Sequence, residues 1–202
     1  MPIQSYDPPA ASLQALQAAA QTMPKAYQHF ATMMQDTLHD LPLHWPHPVY
    51  CVGLKEAASA IGPWQGELVG WRYLAHSGSD RDYAIEVQVD SEQHQFAELD
   101  KGPYIDGIYR VLKDESLQQK IGTTVFKLAV LRLNALGVFA VWLQTSEPEQ
   151  CLFIPLPPTP RALVPWRQYT TNQFQDVLRE KAKEKLASEI QTPDSNRLRN
   201  RA

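Results

Sequence analysis

The stretch Thr123–Leu156, TTVFKLAVLRLNALGVFAVWLQTSEPEQCLFIPL, decides the fold class of this chain. Two apolar runs rich in β-branched and aromatic residues flank a short break at residues 134–137. A third run follows the polar turn at residues 145–150. Runs of this kind, bounded by turn residues, are typical of β-strands. Both alternating sides of the first two runs are apolar, which predicts strands in the middle of a sheet that is covered on both faces.

A predicted hairpin precedes this stretch. Residues Gly66–His76 form the pattern of one strand and Asp82–Asp90 that of the next, with a short turn between them. The second strand alternates an apolar side with a side that carries Ala84, Glu86 and Gln88. This alternation predicts a strand with one buried face and one face exposed to water.

Apolar residues at helical spacing predict helices in four further regions. These regions are Ala11–Asp40 (two helices or one bent helix), Gly53–Ile61, the residues from Pro103 to Ile121, and Thr171–Glu189. The three prolines of Leu41–Pro48 predict a non-helical connector. The sequence therefore predicts an α+β fold, with a mainly antiparallel sheet of about five strands in β-β-α-β-β-β order, covered by N-terminal and C-terminal helices. This order of elements resembles that of the profilin-like group of folds, including the PAS and GAF sensor domains.

The length of the chain predicts one globular domain, and its charge bears on the partners it can bind. The 202 residues suit a single domain over residues 1–189, with residues 1–10 extended and residues 190–202 as a flexible basic tail. The net charge of −3 gives no reason to expect nucleic-acid binding. Residues 178–202 nevertheless contain seven basic and four acidic residues, which leaves 12 basic and 18 acidic residues before them.

The two cysteines and the N-terminal residues predict a cytoplasmic protein. The first ten residues, MPIQSYDPPA, lack the basic and apolar regions of a secretory signal. Charged residues interrupt the longest apolar run, so we expect no membrane span. Cys51 and Cys151 lie a hundred positions apart, and we expect both to be free thiols.

One candidate metal site lies in the proline-rich connector. His39, His44, His47 and Cys51 have side chains of the types that bind Zn²⁺, and four such ligands make a closed tetrahedral site. Their spacing matches no recognised zinc motif. The alternative is a connector whose histidines pack on the surface, and no cofactor is predicted on that interpretation.

A second candidate site lies on the predicted exposed face of the strand Asp82–Asp90. Asp82, Glu86 and Gln88 are candidate catalytic residues, because carboxylates on a strand can hold Mg²⁺ for phosphodiester hydrolysis. A solvated sheet face explains the same residues. Trp71 and Tyr73, together with Glu86, are candidate residues of a ligand pocket, and the alternative for the two aromatic residues is the core.

The sequence favours a non-enzymatic ligand-binding or protein-interaction module, because no convergent catalytic set is visible. Its amphipathic terminal helices, Ala11–Asp40 and Thr171–Glu189, are candidate surfaces for a protein partner or for self-association. The alternative is a metal-dependent hydrolase of the nuclease or phosphatase type that uses the strand carboxylates, or a zinc-binding protein. We expect any site at the end of the sheet near Trp71 and Glu86.

Overall fold

The computed structural model describes residues 2–22, 44–59, 61–77 and 81–191. In these residues the chain has an α+β fold in which five helices pack on one large, mostly antiparallel sheet. The strands are β1 (Ile3–Gln4), β2 (His44–Cys51), β3 (Glu67–Ser77), β4 (Arg81–Asp90), β5 (Gln93–Asp100), β6 (Phe126–Leu133), β7 (Val138–Gln144), β8 (Leu152–Pro155) and β9 (Tyr169–Thr170). The helices are α1 (Ala10–Thr22), α2 (Leu54–Ser59), α3 (Pro103–Lys113), α4 (Glu115–Ile121) and α5 (Thr171–Gln191).

The strand order is β5-β4-β3-β2-β6-β7-β8-β9. The short strand β1 pairs with the start of β6, and β2 pairs with the end of β6. These two pairings are parallel, and the other pairings of the sheet are antiparallel. Two halves of the sheet, each made of consecutive antiparallel strands, therefore join along β2 and β6.

Helices α3 and α4 cover one face of the sheet, which we call the α3 face. Four buried side chains of α3 pack on it, and two of α4 extend the contact. Their partners on the sheet come from β2, β3, β4, β6, β7 and β8. The largest cluster of buried residues on this face contains Val49, Leu74, Ala84, Leu128, Val130, Phe139, Val141, Leu143 and Ile154.

Three other helices cover the opposite face. Helix α1 packs Leu16 and Ala20 onto the β3–β4 end of the sheet. Helices α2 and α5 cover the β6–β8 end, where Phe174 of α5 stacks on Phe153 at 4.6 Å between ring centroids. Both terminal helices therefore bury apolar residues against their own sheet. The exposed side of α5 carries ion pairs three residues apart, such as Lys183–Glu180.

The structure confirms the α+β class, the mainly antiparallel sheet and the central position of β6 and β7, which are buried on both faces. Within the described residues it corrects the number of strands from about five to nine, and it corrects the predicted β-β-α-β-β-β order in detail. The connector predicted over Leu41–Pro48 contains most of β2, and β5 follows the predicted hairpin as a further strand. The second part of the predicted helical region Ala11–Asp40, after Thr22, lies outside the described residues.

The prediction that one face of β4 is exposed to water is wrong at the centre of the strand. Ala84 and Glu86 are buried, whereas Gln88 is exposed. The reason is that both faces of β4 are covered, with α1 on one side and α3 on the other.

Close packing between β3 and β4 explains the glycine at position 70 of β3, since a Cβ atom there would lie 2.8 Å from the carbonyl oxygen of Val87.

Candidate functional site

A row of charged side chains crosses the α3 face of the sheet. Arg72 of β3 is the register partner of Glu86 on β4, so their side chains leave the sheet on the same face. Arg132 of β6 pairs with Cys51 of β2 on one side and with Phe139 of β7 on the other. Three strand spacings of about 4.8 Å separate β6 from β4, so the side chains of Arg132 and Glu86 both extend over the strands between them to meet.

Arg72, Glu86 and Arg132 form an ion cluster, which we call the Arg–Glu–Arg cluster; Arg72 and Glu86 are buried and Arg132 is partly exposed. The Nε and Nη2 atoms of Arg72 donate to Oε2 of Glu86 at 3.0 and 2.6 Å. The Nη1 and Nη2 atoms of Arg132 donate to Oε1 and Oε2 at 2.9 and 2.6 Å. Four charge-assisted hydrogen bonds therefore converge on one carboxylate.

These contacts keep Glu86 ionised. Burial, the largest single effect, raises the pKa of its carboxyl, but the charges and hydrogen bonds of Arg72 and Arg132 together lower it below its ordinary value. One negative charge and two positive charges leave the cluster with a net charge of +1. Both oxygens of Glu86 are occupied, so this carboxylate is a poor base and a poor metal ligand.

Two carboxylates of β5 lie beside the cluster and face water. Oε1 of Glu98 and Oδ2 of Asp100 are each 3.7 Å from Nη2 of Arg72. The side chain of Glu98 is 54% exposed and that of Asp100 is 37% exposed, whereas Arg72 is 1% exposed. Their charges bring the whole group to a net charge of −1, with the acidic residues at the β5 end.

A cleft of about 310 Å³ opens over these residues, and we call it the polar cleft. One wall is aromatic, because Tyr104 at the start of α3 stacks on Phe139 at 4.4 Å between ring centroids. The guanidinium carbons of Arg72 and Arg132 each lie 5.5 Å from the centroid of Phe139. The residues that line the cleft are Arg72, Glu98, Asp100, Tyr104, Arg132, Asn134, Gly137, Val138 and Phe139.

The turn between β6 and β7 forms the basic end of the polar cleft. Asn134–Leu136 is a single 3-10 turn that Gly137 ends in the left-handed conformation, at φ 63°. A side chain would be strained at that φ, so glycine suits this position. The turn places the exposed residue Asn134 at the rim beside Arg132.

Two buried polar atoms beside the cluster have no hydrogen-bond partner within the described residues. One is Nη1 of Arg72, and the other is Nε2 of His47, the cross-strand partner of Arg72 on β2. Nδ1 of His47 lies 2.6 Å from the carbonyl oxygen of Trp45, which can only accept, so Nδ1 carries the hydrogen and Nε2 is an acceptor. Trp45 itself adopts a φ of 55° at an irregularity in β2.

The structure separates the predicted ligand-pocket residues. Trp71 and Tyr73 lie on the face covered by α1, where the hydroxyl of Tyr73 donates to Oγ of Ser12 at 2.7 Å. Glu86 projects from the other face, together with Arg72. The only member of this predicted set in the charged row is therefore Glu86.

The predicted catalytic residues lie on the same side of β4, but they are spread along the strand. Asp82 and Glu86 are four residues apart on β4, a distance of about 13 Å along a strand. A single Mg²⁺ ion binds oxygen atoms at about 2.1 Å, so the two carboxylates cannot share one ion without a large rearrangement. Gln88 is exposed, a further two residues along.

The predicted zinc ligands on β2 differ in their surroundings. His44 is exposed, His47 is buried and Cys51 is half-buried at the end of the strand, where burial raises the pKa of its thiol. His39 lies outside the described residues. In the described ranges there is no group of three or more His, Cys, Asp and Glu side chains placed to hold a metal ion.

Sequence reasoning missed Arg72, Arg132, Glu98, Asp100 and the aromatic wall. A signal was available for the two arginines, because each interrupts a run of apolar and aromatic residues in a predicted strand. A buried charge requires a partner, so two such arginines and one glutamate predict an ion cluster. No comparable signal marks Glu98 or Asp100, which belong to the polar strand β5.

Searches of protein-family models, curated proteins and solved structures find no match to this chain. Among the described helices, none has the length and apolar character needed to cross a membrane.

The stability of the protein should fall as the pH is lowered from about 6.5 towards 3. Burial and the charges of Arg72 and Arg132 lower the pKa of His47 from 6.5 to about 3. Between these values the unfolded chain binds a proton that the folded protein excludes, so acid favours unfolding. Urea titrations between pH 5 and 6.5 measure this effect before Glu86 contributes, since its ordinary pKa is 4.5.

The variant His47→Gln should remove most of this pH dependence, and His44→Gln should keep it, because His44 is exposed. A pH dependence that survives in His47→Gln would show that another group is responsible.

Proposed function

We propose that the chain is a non-enzymatic binding module whose binding site for a small polar molecule is the polar cleft. The observation that carries this proposal is the guanidinium of Arg132, which Glu86 holds in place and which is 20% exposed at an open cleft. Its hydrogen bonds to Glu86 leave other N–H groups available, and a ligand oxygen can accept from them. The volume of about 310 Å³ lies near the lower limit for small-molecule sites.

Stability alone gives a weak reason for the Arg–Glu–Arg cluster. Removing three charged groups from water costs several kcal/mol for each ion, and well-packed apolar residues often replace such clusters without loss. A set of charged residues that is buried, held in place by hydrogen bonds and open to a cleft on one side is more typical of a functional site. Fixed guanidinium groups also suit binding, because little side-chain entropy is lost when a ligand arrives.

The geometry favours binding over hydrolysis by the strand carboxylates. Four N–H groups already occupy Glu86, and Asp82 lies about 13 Å away along β4. A hydrolase that used these two residues would have to break the cluster before it bound a metal ion. The geometry therefore favours ligand recognition at the cleft.

Self-association or a protein partner remains the second form of this proposal. Helices α1 and α5 were predicted as its surfaces, and both bury apolar residues in the protein's own core. The cleft is therefore the better-supported site. A cytoplasmic location is part of the proposal, and it is consistent with the two free cysteines, Cys51 and Cys151.

The proposal is tested by measuring ligand binding before and after the cleft is blocked by a substitution. The melting temperature of the full chain is measured with a panel of small carboxylates, amines, amino acids and sugars. At least one compound should raise it, because a ligand that binds only the folded state stabilises that state. In Asn134→Trp, a bulky side chain at the rim should abolish the shift.

The matched control is Glu149→Trp, an exposed residue of the other 3-10 turn, Pro148–Gln150, which does not line the cleft. This variant should keep the shift. The proposal is wrong if no compound raises the melting temperature, or if Asn134→Trp responds to the compounds as the wild type does.

A further inference from the structure

We infer that the ligand of the polar cleft is a small zwitterion of the amino-acid type, bound by its carboxylate at the basic end and by its ammonium group at the acidic end. This inference rests on the proposed function and adds the chemical class of the ligand. It follows from where the charges of the cleft lie, which of them are already neutralised, and which of them water can reach.

The charged groups of the polar cleft follow one another in a chain of contacts. Glu98 and Asp100 lie at one end, 3.7 Å from Nη2 of Arg72. Arg132 lies at the other end, because Glu86 stands between it and Arg72 at 2.6 Å from each. A ligand with a single charge would meet one favourable and one unfavourable end. A ligand with two opposite charges meets a favourable partner at each end.

Hydrogen-bonding capacity remains free at the basic end. A guanidinium has five N–H groups, and the hydrogen bonds to Glu86 use only the Nη1 and Nη2 atoms of Arg132, at one hydrogen each. The side chain of Arg132 is 20% exposed, so a ligand can reach it. These donors of Arg132 suit the oxygens of a carboxylate, which guanidinium groups bind with matched geometry.

Acceptors remain free at the acidic end. Glu98 and Asp100 approach Arg72 no closer than 3.7 Å, so their contacts with it are ion pairs without a short hydrogen bond. Both carboxylates are accessible to water, and an ammonium group offers three donors to them. The net charge of −1 in the charged group also favours a ligand that brings a positive charge.

The wall of Tyr104 and Phe139 lines the same cleft, and the centroid of Phe139 lies 5.5 Å from the guanidinium carbons of both arginines. It can contact the carbon atoms of a ligand, while its ring faces also attract a cation. The small volume of the cleft limits the ligand to about the size of one amino acid or a short peptide.

The test uses the full chain and isothermal titration calorimetry with the twenty common L-amino acids. At least one of them should bind. For the tightest, two blocked derivatives separate the charges: the N-acetyl derivative keeps only the carboxylate, and the methyl ester keeps only the ammonium group. Each derivative should bind at least about tenfold more weakly, because each leaves one end of the cleft without its partner.

A charge-neutral variant of the acidic end gives the second measurement. In Glu98→Gln/Asp100→Asn, binding of the free amino acid should weaken at least about tenfold, while binding of the N-acetyl derivative should not weaken. Glu147→Gln/Glu149→Gln is the control, since it removes two exposed carboxylates that do not line the cleft and changes the net charge equally. This control should bind as the wild type does.

The inference is overturned if the N-acetyl derivative or the methyl ester binds as tightly as the free amino acid. It is also overturned if no amino acid binds while a sugar, a simple carboxylate or a simple amine does, and in that case the cleft keeps its proposed role. If no compound of any charge binds, the proposed function fails with it, so the two failures give different results.

Discussion

Replacing Glu86 with alanine should destabilise the protein by about 3–5 kcal/mol, because it leaves buried positive charge without its counter-ion. Glu86 accepts four hydrogen bonds from Arg72 and Arg132, and Arg72 is almost completely buried. Glu98 and Asp100 are too exposed to take over this role, at 3.7 Å from Arg72. Urea unfolding followed by circular dichroism measures the change.

Gln88→Ala is the matched control for this variant. Gln88 lies two residues along the same strand and is exposed, so its replacement should change the free energy of unfolding by no more than about 0.5 kcal/mol. A loss below about 1 kcal/mol in Glu86→Ala would mean that the two guanidinium groups find other partners or reach water, and that the cluster is not the fixed unit described above.

Replacing the whole Arg–Glu–Arg cluster should avoid most of this loss of stability. The triple variant Arg72→Met/Glu86→Leu/Arg132→Met should unfold within about 1 kcal/mol of the wild type or be more stable, because no charge is left uncompensated and the new side chains are apolar. The same variant should lose all ligand binding at the polar cleft. Stability and binding would then respond in different directions to one set of changes.

One result for the triple variant would contradict a role for the cluster in binding. If the triple variant is destabilised as strongly as Glu86→Ala, the cluster is a structural part of the core, since apolar side chains cannot fill its place. The two variants must therefore be compared in parallel urea titrations. Equal slopes of the free energy of unfolding against urea concentration would show that both variants expose similar surface on unfolding.

The core of the fold was predictable because its sequence pattern is local. Strands β6 and β7 are apolar on both sides, which fixes them in the interior of the sheet whatever their neighbours are. Strand β2 was not predictable in the same way. Its prolines, Pro46 and Pro48, are typical of a connector, and the irregular backbone around Trp45 lets an extended segment with prolines pair with β3.

Strand β5 escaped prediction because it is an edge strand with few apolar residues. An edge strand needs only one hydrogen-bonded neighbour, and its polar side chains face water, so it lacks the apolar alternation that marks β4. With β5 unrecognised, Glu98 and Asp100 could not be placed beside Arg72. The acidic end of the polar cleft was therefore invisible in the sequence.

The Arg–Glu–Arg cluster depends on two strand pairings that the local sequence pattern does not reveal. The antiparallel register of β3 and β4 sets Arg72 opposite Glu86, and the parallel pairing of β2 with β6 brings Arg132 onto the same face. If the pairing of either strand shifted by one residue, its charged side chain would turn to the opposite face. The sequence alone shows two arginines in apolar runs, and only the pairing shows that they share one carboxylate.

The most direct measurement of the central claim is the melting temperature of the wild type and of the triple variant, each with and without the amino-acid panel. We predict that at least one amino acid stabilises the wild type, by about 2.7 kcal/mol at a concentration one hundred times its Kd, and that none stabilises the triple variant although it folds. Equal stabilisation of both proteins would contradict a binding site at the polar cleft, whereas stabilisation of neither would overturn the inference that its ligand is an amino acid.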